Sequence, residues 1–397
     1  MVIYITLAVA ILSGIYSFHY VRRHAGKKIT NRTYLALALA ALVYAAAKTL
    51  GEPTLYSFIR AVAIVIIFYA CGTVPLLVAG LAEDLCRGLS RLIFGKRTFR
   101  PSKWLFAAAC LGALAGIATV TEGILHGKTD YRVYPFTMES PRIPAAFDGL
   151  RIVQLSDLHL GSFRPDDPHL PRVFDTVRAL RPDLIVLTGD ILNDNSADML
   201  PWMDHLSGLS APLGKYAVIG NHDYCEYDRS LSPSELQEQM DSLFSYYRRA
   251  GFRVLDNETV PFAQDGDTLY LAGVENWGVG PFPARGDLDK AVRGIPQDGF
   301  TILLSHDPAH FERIVSKYPR FIDLTLSGHT HAMQFAFQFT ENFQWSPIQY
   351  RDKYWAGPYR ENGRQLYVSR GVGYHFFPAR VGMRPEITLI TLEKTEK

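Results

Sequence analysis

The stretch YAVIGNHDYCEYD, Tyr216–Asp228, decides how the rest of the chain is read. An apolar, strand-like run, Tyr216–Ile219, stops at Gly220 and is followed at once by Asn221, His222 and Asp223. Gly, Asn and Asp are common turn formers. The same Asn oxygen, His nitrogen and Asp oxygen are also metal ligands and proton carriers. The local sequence leaves both readings open.

Working outward, the soluble part alternates short apolar runs with helical patterns from Leu150 onward. The runs predict strands at Arg151–Leu155, Asp183–Leu187, Lys215–Ile219, Thr268–Ala272, Thr301–Leu304, Asp323–Leu326, Gln365–Val368 and Glu386–Leu392. In SPSELQEQMDSLFSYYRRAG, Ser232 caps a helix, Pro233 suits its first turn, Glu235 completes a capping box and Gly251 ends it. This alternation predicts an α/β core. The strands from Asp323 onward lack long intervening helices and are expected to be more antiparallel.

Five of these strand ends carry Asp, Asn or His: SDLHLG with Asp157 and His159, TGD with Asp190, GNHD with Asn221 and His222, SHD with His306, and SGHTH with His329 and His331. Ligands of open α/β sheets collect at the carboxyl ends of strands. Taken singly, each motif is readily a turn or a chance pair. Taken jointly, independent loops have no reason to place ligand residues this way. Imidazole nitrogen with carboxylate oxygen suits borderline ions such as Mn, Fe or Zn. Seven candidate ligands exceed what one such ion needs, so they suit two ions sharing a carboxylate. Such a pair can bridge an attacking hydroxide and hold a phosphoryl oxygen.

The order D-x-H, G-D, G-N-H-D, H, G-H-x-H resembles the calcineurin-like metallophosphoesterases. FDGLRIVQLSDLHLG and LYVSRGVGYHFFPARVGMRPEITLITL resemble their bacterial membrane-associated branch. The resemblance covers about residues 131–394. It implies an α/β fold, a four-layer αββα sandwich with a dinuclear site at one edge. It implies that Asp157, His159, Asp190 and His331 hold one ion, with Asp190 bridging, and that Asn221, His306 and His329 complete the other. His222 matches the family's phosphate-contacting histidine, which assists the leaving group. Asp223 orients His222 or caps the loop. Two departures stand out. The branch commonly has two glycines and Gln after G-H-T-H, whereas here Ala332 and Met333 follow. Some members have Asp three residues after the bridging Asp, whereas here Asn193 and Asp194 stand there, which leaves the partner of His222 open. His169, His205 and His310 are expected on surfaces or helices, and His375, in the tail near Arg370 and Arg380, in a structural role, with lining the mouth of the site as the alternative. The aromatic insert FAFQFTENFQWSPIQYRDKYWAGPY is expected in the core, with a lip dipping into a membrane interface as the alternative.

The chain has 397 residues and a net charge of only +2, which gives no reason to expect a nucleic-acid partner. Apolar runs at Val2–Tyr20, Tyr34–Leu50, Leu55–Ala82 and Trp104–Leu125 predict a four-helix transmembrane bundle ahead of the sandwich. The second, at about 17 residues, is marginal. The first has no charge before it and VRRHAGKK after it, unlike a signal peptide. The expected domains are 1–127, a four-span anchor; 128–149, a connector and first strand; and 150–397, the metallophosphoesterase domain. Basic stretches, Arg22–Arg32 and Arg87–Lys103, should stay in the cytoplasm. This predicts a multi-pass bacterial inner-membrane protein with its catalytic domain outside the cytoplasm. The expected activity is hydrolysis of a phosphate ester or pyrophosphate by metal-bridging hydroxide attack, with two divalent ions, Mn, Zn or Fe. The anchor favours a lipid-linked phosphorylated substrate. The alternatives are a phosphodiesterase for soluble substrates such as nucleotides, and a non-catalytic membrane receptor. The sequence does not indicate an oligomeric state.

Overall fold

The computed structural model describes residues 2–35, 37–39, 55–95, 100–340 and 343–396. The chain divides into two compact units, Met1–Ile124 and Leu125–Lys397.

The first unit is helical: α1 (Val2–Ala25), α2 (Leu55–Phe94) and α3 (Lys103–Leu125). Most of the expected second span, Tyr34–Leu50, lies outside the described residues, as does the GEP turn that follows it. Among the described residues, two helices are long and apolar enough to cross a membrane, Ile64–Phe94 and Lys103–Thr129. Helices α1 and α2 run parallel. Ser17 Oγ donates to the Thr73 carbonyl at 3.0 Å, and Arg23 Nη1 meets Asp84 Oδ1 at 2.8 Å further along both helices. Helix α3 runs antiparallel to α2, with Gly112 over Pro75 and Gly116 over Cys71. The ends of α1 and α2 and the start of α3 meet in a polar knot. There the buried Glu83 carboxylate accepts from Tyr20 Oη at 3.3 Å and from the Ser102 N–H at 2.9 Å, beside His24 Nε2 at 3.3 Å.

The second unit has two six-stranded sheets. The first has the order β1-β15-β2-β3-β4-β5: β1 (Arg132–Ser140), β15 (Glu386–Lys394), β2 (Arg151–Leu155), β3 (Leu184–Thr188), β4 (Lys215–Val218) and β5 (Phe252–Val254). The second has the order β12-β13-β9-β8-β7-β6: β12 (Gly357–Glu361), β13 (Arg364–Val368), β9 (Leu324–Ser327), β8 (Phe300–Leu304), β7 (Asp267–Gly273) and β6 (Glu258–Gln264). Their inner faces share one apolar core, with Ile152, Val186 and Val218 against Leu271, Ile302 and Leu326. Helices α4 (Pro171–Leu180) and α5 (Pro233–Arg249) cover the first sheet through Phe174, Val177, Leu243 and Tyr247. Short helices α6 (Leu288–Ala291) and α7 (Ala309–Arg313) cover the second through Leu288 and Phe311. The layering is therefore α, β, β, α. Helix α5 starts at the Ser232–Glu235 capping box, as its sequence predicts.

One strand expectation holds only in part. Strand β9 is parallel to both neighbours, β8 and β13. Its connections hold no long helix, yet they still return the chain to the same end. The antiparallel pairs are instead β12–β13, β15–β2, β6–β7 and a small third sheet's β10–β11. That sheet, ordered β11-β10-β14, holds β10 (Phe335–Thr340), β11 (Phe343–Trp345) and β14 (Val381–Gly382).

The two large sheets are pinned together at β13 and β15. The buried Glu386 carboxylate accepts from Arg370 Nη1, Tyr367 Oη and Thr388 Oγ1, each at 2.7 Å. Removing one partner of a buried pair leaves an uncompensated charge and typically costs about 3–5 kcal/mol. Arg370→Met should therefore lower the melting temperature strongly in calorimetry of the detergent-solubilised protein. Adding Glu386→Gln should recover part of the loss. An unchanged melting temperature in the single variant would remove this pair from the forces joining the sheets.

Candidate metal centre

The carboxyl ends of β2, β3, β4, β8 and β9 converge, and each delivers its polar residues to one place. Asp157, His159, Asp190 and His331 bring ligand atoms within 4.8 Å of one another. Asp190, His306 and His329 do the same. Asp190 belongs to both groups. Its Oδ2 lies 3.1 Å from His306 Nε2 and 3.8 Å from His159 Nε2. Its Oδ1 accepts the His222 backbone N–H at 2.9 Å. Asp157 Oδ1 is 3.2 Å from His331 Nε2, and His159 Nε2 is 3.0 Å from His331 Nε2. Asn221 Oδ1 is 3.2 Å from His306 Nε2, and His329 Nδ1 is 3.3 Å from the same nitrogen. All seven residues expected to be ligands thus surround one small volume.

The local backbone is bent to achieve this. Asp157, His159, Asp190, His329 and His331 all have positive φ, between 43° and 71°. Gly220 is required for close approach rather than for its φ, because a Cβ there would lie 2.2 Å from Asp190 Oδ1. At Gly328 a Cβ would lie 2.3 Å from Asp157 Oδ2.

The donor set fits divalent cations. His159 Nδ1 meets the Leu192 carbonyl at 2.9 Å and His306 Nδ1 meets the Thr188 carbonyl at 2.7 Å. Each carbonyl accepts an Nδ1–H and so turns a bare Nε2 inward, the usual support of a ligating histidine. Burial, reinforced by neighbouring imidazoles, holds His159 and His331 well below the usual histidine range, and burial lowers His329 too. Neutral imidazole is the ligating form. Burial also raises Asp157, to about 6. Burial would raise Asp190 as well, but His306 and His222 outweigh it and hold its carboxyl well below the usual range. His306 shows the reverse balance: burial would lower it, but Asp190 and Asp157 push it up to about 10. A cation among these atoms would take the place of that proton.

The partner of His222 is now defined. Its Nδ1 lies 2.7 Å from the Asn193 carbonyl and 3.6 Å from Asp194 Oδ1. Asp223 does not orient it. The buried Asp223 carboxylate accepts the backbone N–H groups of Asp190, Leu192 and Gly220 at 2.9, 3.0 and 2.9 Å, tying the loops after β3 and β4 together. Two further residues border the site: Tyr227, which the sequence reading does not raise, and His375, for which lining the mouth is the alternative to a structural role. Tyr227 Oη accepts from Asn221 Nδ2 at 2.9 Å, which leaves the amide oxygen facing His306. His375 lies with its ring 4.2 Å from His222 and 5.0 Å from His159. Tyr227 lies only six residues past Asn221 in the same loop, so its position was open to the sequence, whereas His375 arrives from a distant loop that only the fold brings near. His310 is not a surface residue: it is fully buried, stacked on Trp277 at 5.0 Å, with Nδ1 2.9 Å from Ser305 Oγ. His169 and His205 are half-buried. A cavity of about 280 Å³ opens beside His329, lined by Phe282, Asp307, Arg351, Lys353 and Tyr354 among others.

A mixed α/β domain with this cluster at its strand ends defines a metal-dependent phosphoesterase class, and the comparisons agree. Residues 150–333 match the calcineurin-like phosphoesterase family profile. The metallophosphoesterase YkuE of Bacillus subtilis is 33% identical over 304 residues, 74% of this chain and 96% of YkuE. The chain belongs to the calcineurin-like phosphoesterases, hydrolases of phosphoric ester bonds. A transmembrane protein with metallophosphoesterase domain from Danio rerio is 28% identical over 73% of this chain, which spans 63% of that protein's length. The UDP-2,3-diacylglucosamine pyrophosphatase LpxG of Chlamydia trachomatis is 29% identical, over 61% of this chain and 83% of LpxG.

The Ala332–Met333 departure has a backbone consequence. Ala332 (φ 47°, ψ 32°) and Met333 (φ 55°, ψ 18°) both sit in the left-handed region. That conformation costs a side-chain-bearing residue about 1–2 kcal/mol, which glycine avoids. The Met333 side chain is 55% exposed, so little burial offsets the strain. Met333→Gly should therefore raise stability, by up to about 1 kcal/mol once glycine's greater unfolded-state entropy is subtracted. Denaturant titration measures this, and a destabilised variant would assign Met333 a packing role.

Proposed function

We propose that this protein is a membrane-anchored, dinuclear metallophosphoesterase that cleaves a lipid-linked phosphate ester or pyrophosphate on the extracytoplasmic face of a bacterial inner membrane. The observation that carries the reading is Asp190, one carboxylate shared by two groups of ligand atoms. Asp157, His159, Asp190 and His331 would hold one ion, and Asp190, Asn221, His306 and His329 the other. Mixed nitrogen and oxygen donors suit Mn, Zn or Fe. Two such ions supply a nucleophile at neutral pH and stabilise charge on phosphoryl oxygens. The chain's own residues do the rest. His222, fixed at Nδ1 by the Asn193 carbonyl, presents Nε2 to the phosphoryl group and hands a proton to the departing oxygen. Asn221 is held by Tyr227. The cavity beside His329 gives the leaving group room, with Arg351 and Lys353 on its wall.

The helices support the placement. The basic end of α1, the basic end of α2 and the start of α3 lie together, through Arg23 and Arg87 on Asp84 and Ser102 on Glu83. Basic ends stay in the cytoplasm. Helix α3 leads away from that end, so the chain emerges at Leu125 on the opposite face. This argument does not use the marginal second span. The likeness to LpxG, whose substrate carries acyl chains, supports a lipid-linked pyrophosphate.

The purified full-length protein should hydrolyse an aryl phosphate ester only when loaded with a divalent ion and should bind two ions per chain. Asp190→Asn should abolish turnover and ion binding. His222→Ala should keep both ions and lose about 10²- to 10³-fold in rate, as expected for one lost electrostatic contact. Full activity of Asp190→Asn would refute the site. For the placement, a phosphatase reporter that needs export should be active when fused after Gly127, and a reporter active only in the cytoplasm should be silent. The opposite pattern would move the domain inside.

A further inference from the structure

The small third sheet is built unlike the rest of the domain. Along β10, Phe335, Phe337 and Phe339 alternate and so share one face. Across the hairpin, Phe337 pairs with Trp345 and Gln338 with Gln344, so the partner strand keeps the same division. Phe335 meets Phe337 at 5.3 Å and Trp345 at 6.3 Å, and Phe339 stacks on Phe343 at 5.3 Å. A face so apolar is normally covered. Here Phe339 is 62% and Phe343 57% exposed, and nearby Tyr350, bonded to Trp345, is 80% exposed. Tyr354 and Trp355, later in the aromatic stretch, are core as expected, but the hairpin part is not, and its most exposed rings are Phe339 and Phe343.

Where the hairpin is rooted says what covers it. The apolar helix ends at Leu125, and the next residues, Gly127–Thr129, form a turn packed into this corner of the domain. A Cβ on Gly127 would lie 2.1 Å from the Arg380 carbonyl, Lys128 Nζ sits 5.3 Å over the Tyr374 ring, and Asp130 pairs with Arg384 Nε at 3.2 Å. Arg380 leads directly into β14, and β14 pairs with β10 at Phe335–Val381 and Ala336–Gly382. The chain's point of emergence from its apolar helix and the root of the aromatic hairpin are thus tied to one strand. A strand advances about 3.3 Å per residue, so the tip lies only about 10–15 Å beyond that root. Tyr and Trp, each with an apolar body and a polar tip, settle at a bilayer's interface, and Phe supplies the apolar area that enters the headgroup and acyl boundary.

We infer that the β10–β11 hairpin is a membrane-docking element, its Phe339 and Phe343 inserted among lipid headgroups and upper acyl chains beside the anchor. This rests on the membrane-anchored reading above. Because Phe335 follows Gln334 directly, only four residues beyond His331, docking the hairpin also brings the mouth of the metal centre to the lipid surface. A phosphate carried on a lipid then reaches the site without leaving its leaflet.

The test uses full-length protein in nanodiscs of phosphatidylethanolamine and phosphatidylglycerol. An environment-sensitive fluorescent amino acid replaces Phe343 in one sample and Asp265 in another. Asp265 lies in the β6–β7 turn, at the opposite end of the second sheet from the metal centre. A lipid bearing a nitroxide high on its acyl chain should quench the label at 343 severalfold more than the label at 265. Equal quenching would overturn the inference. An apolar emission shift at 343 without lipid quenching would overturn it too, assigning the face to a second copy or another protein. The Phe339→Ser/Phe343→Ser variant should hydrolyse a soluble aryl phosphate at the parent's rate, which verifies its folding. It should lose severalfold on a lipid-borne pyrophosphate in the same nanodiscs, and an unchanged ratio of the two rates would overturn the docking role. If the parent ignores lipid-borne substrates while the label at 343 is still quenched, the substrate reading falls and the docking stands. If the parent cleaves them without quenching at 343, the docking falls alone.

Discussion

A carboxylate buried among imidazoles is the constraint around which the second unit is organised. Asp190 is almost fully buried, and an ionised group so placed must be compensated by charge or by hydrogen bonds. The fold supplies both. One oxygen takes the His222 N–H and the other faces His306 and His159. To bring these groups together, loops from both sheets must approach more closely than ordinary side chains permit, hence the bare Cα atoms at Gly220 and Gly328. To hold the loops still, Asp223 gathers three backbone N–H groups behind the site. His159, His306 and His222 are fixed from outside by main-chain carbonyls that accept from Nδ1, which turns each Nε2 inward. The compact charge arrangement is thus set by the sheets' strand ends, and the surrounding helices serve to hold those ends in register.

What the sequence disclosed follows from this. A ligand placed directly after an apolar run is legible, because the run fixes a strand and the strand's end fixes a position. That logic reached Asp157, His159, Asp190, Asn221, His222, His306, His329 and His331 as a set. It did not assign Tyr227, which shares the loop of Asn221 and His222 but follows no strand end directly, nor fix His375 at the site, since a distant irregular loop brings it there through space. It placed His310 on a surface or a helix, and the residue lies in α7, but its burial against Trp277 leaves no periodic trace. A first strand is expected within 128–149 without bounds, and β1 runs unbroken over Arg132–Ser140 despite Pro135. An edge strand tolerates that proline, and β1 is an edge. The direction of β9 was misread because connection length is a weak guide to whether neighbouring strands run parallel.

The helical unit adds a different kind of evidence. Charge bias alone assigns sides to loops, but it depends on counting every crossing. The packing of α1 and α2 side by side in parallel, with α3 antiparallel to α2, gathers three helix ends and most of the basic residues at one end. Glu83 and Asp84 sit in the middle of that gathering, and each is bonded to another helix or its flank. The polar knot therefore does for the helices what Asp190 does for the loops, since buried acceptors fix which ends come together.

The Ala332–Met333 departure from the family pattern falls in one structural unit. The left-handed run from His331 to Gln334 ends with Gln334 bonded to the Phe377 and Ala379 carbonyls and to the His375 N–H. The same run opens directly into β10. A single turn thus sets the positions of a metal-ligand histidine, the His375 loop and the aromatic hairpin. Ordinary glycines would make that turn without strain. With Ala332 and Met333 in their places, the turn holds its shape only because the tail and the hairpin brace it from either side. The metal centre is common to the family, whereas this braced turn is where the chain differs, and it lies at the mouth through which any substrate must pass. Variation in what reaches the cluster is therefore open to the turn and the elements rooted in it, while the candidate ligands stay fixed at the strand ends.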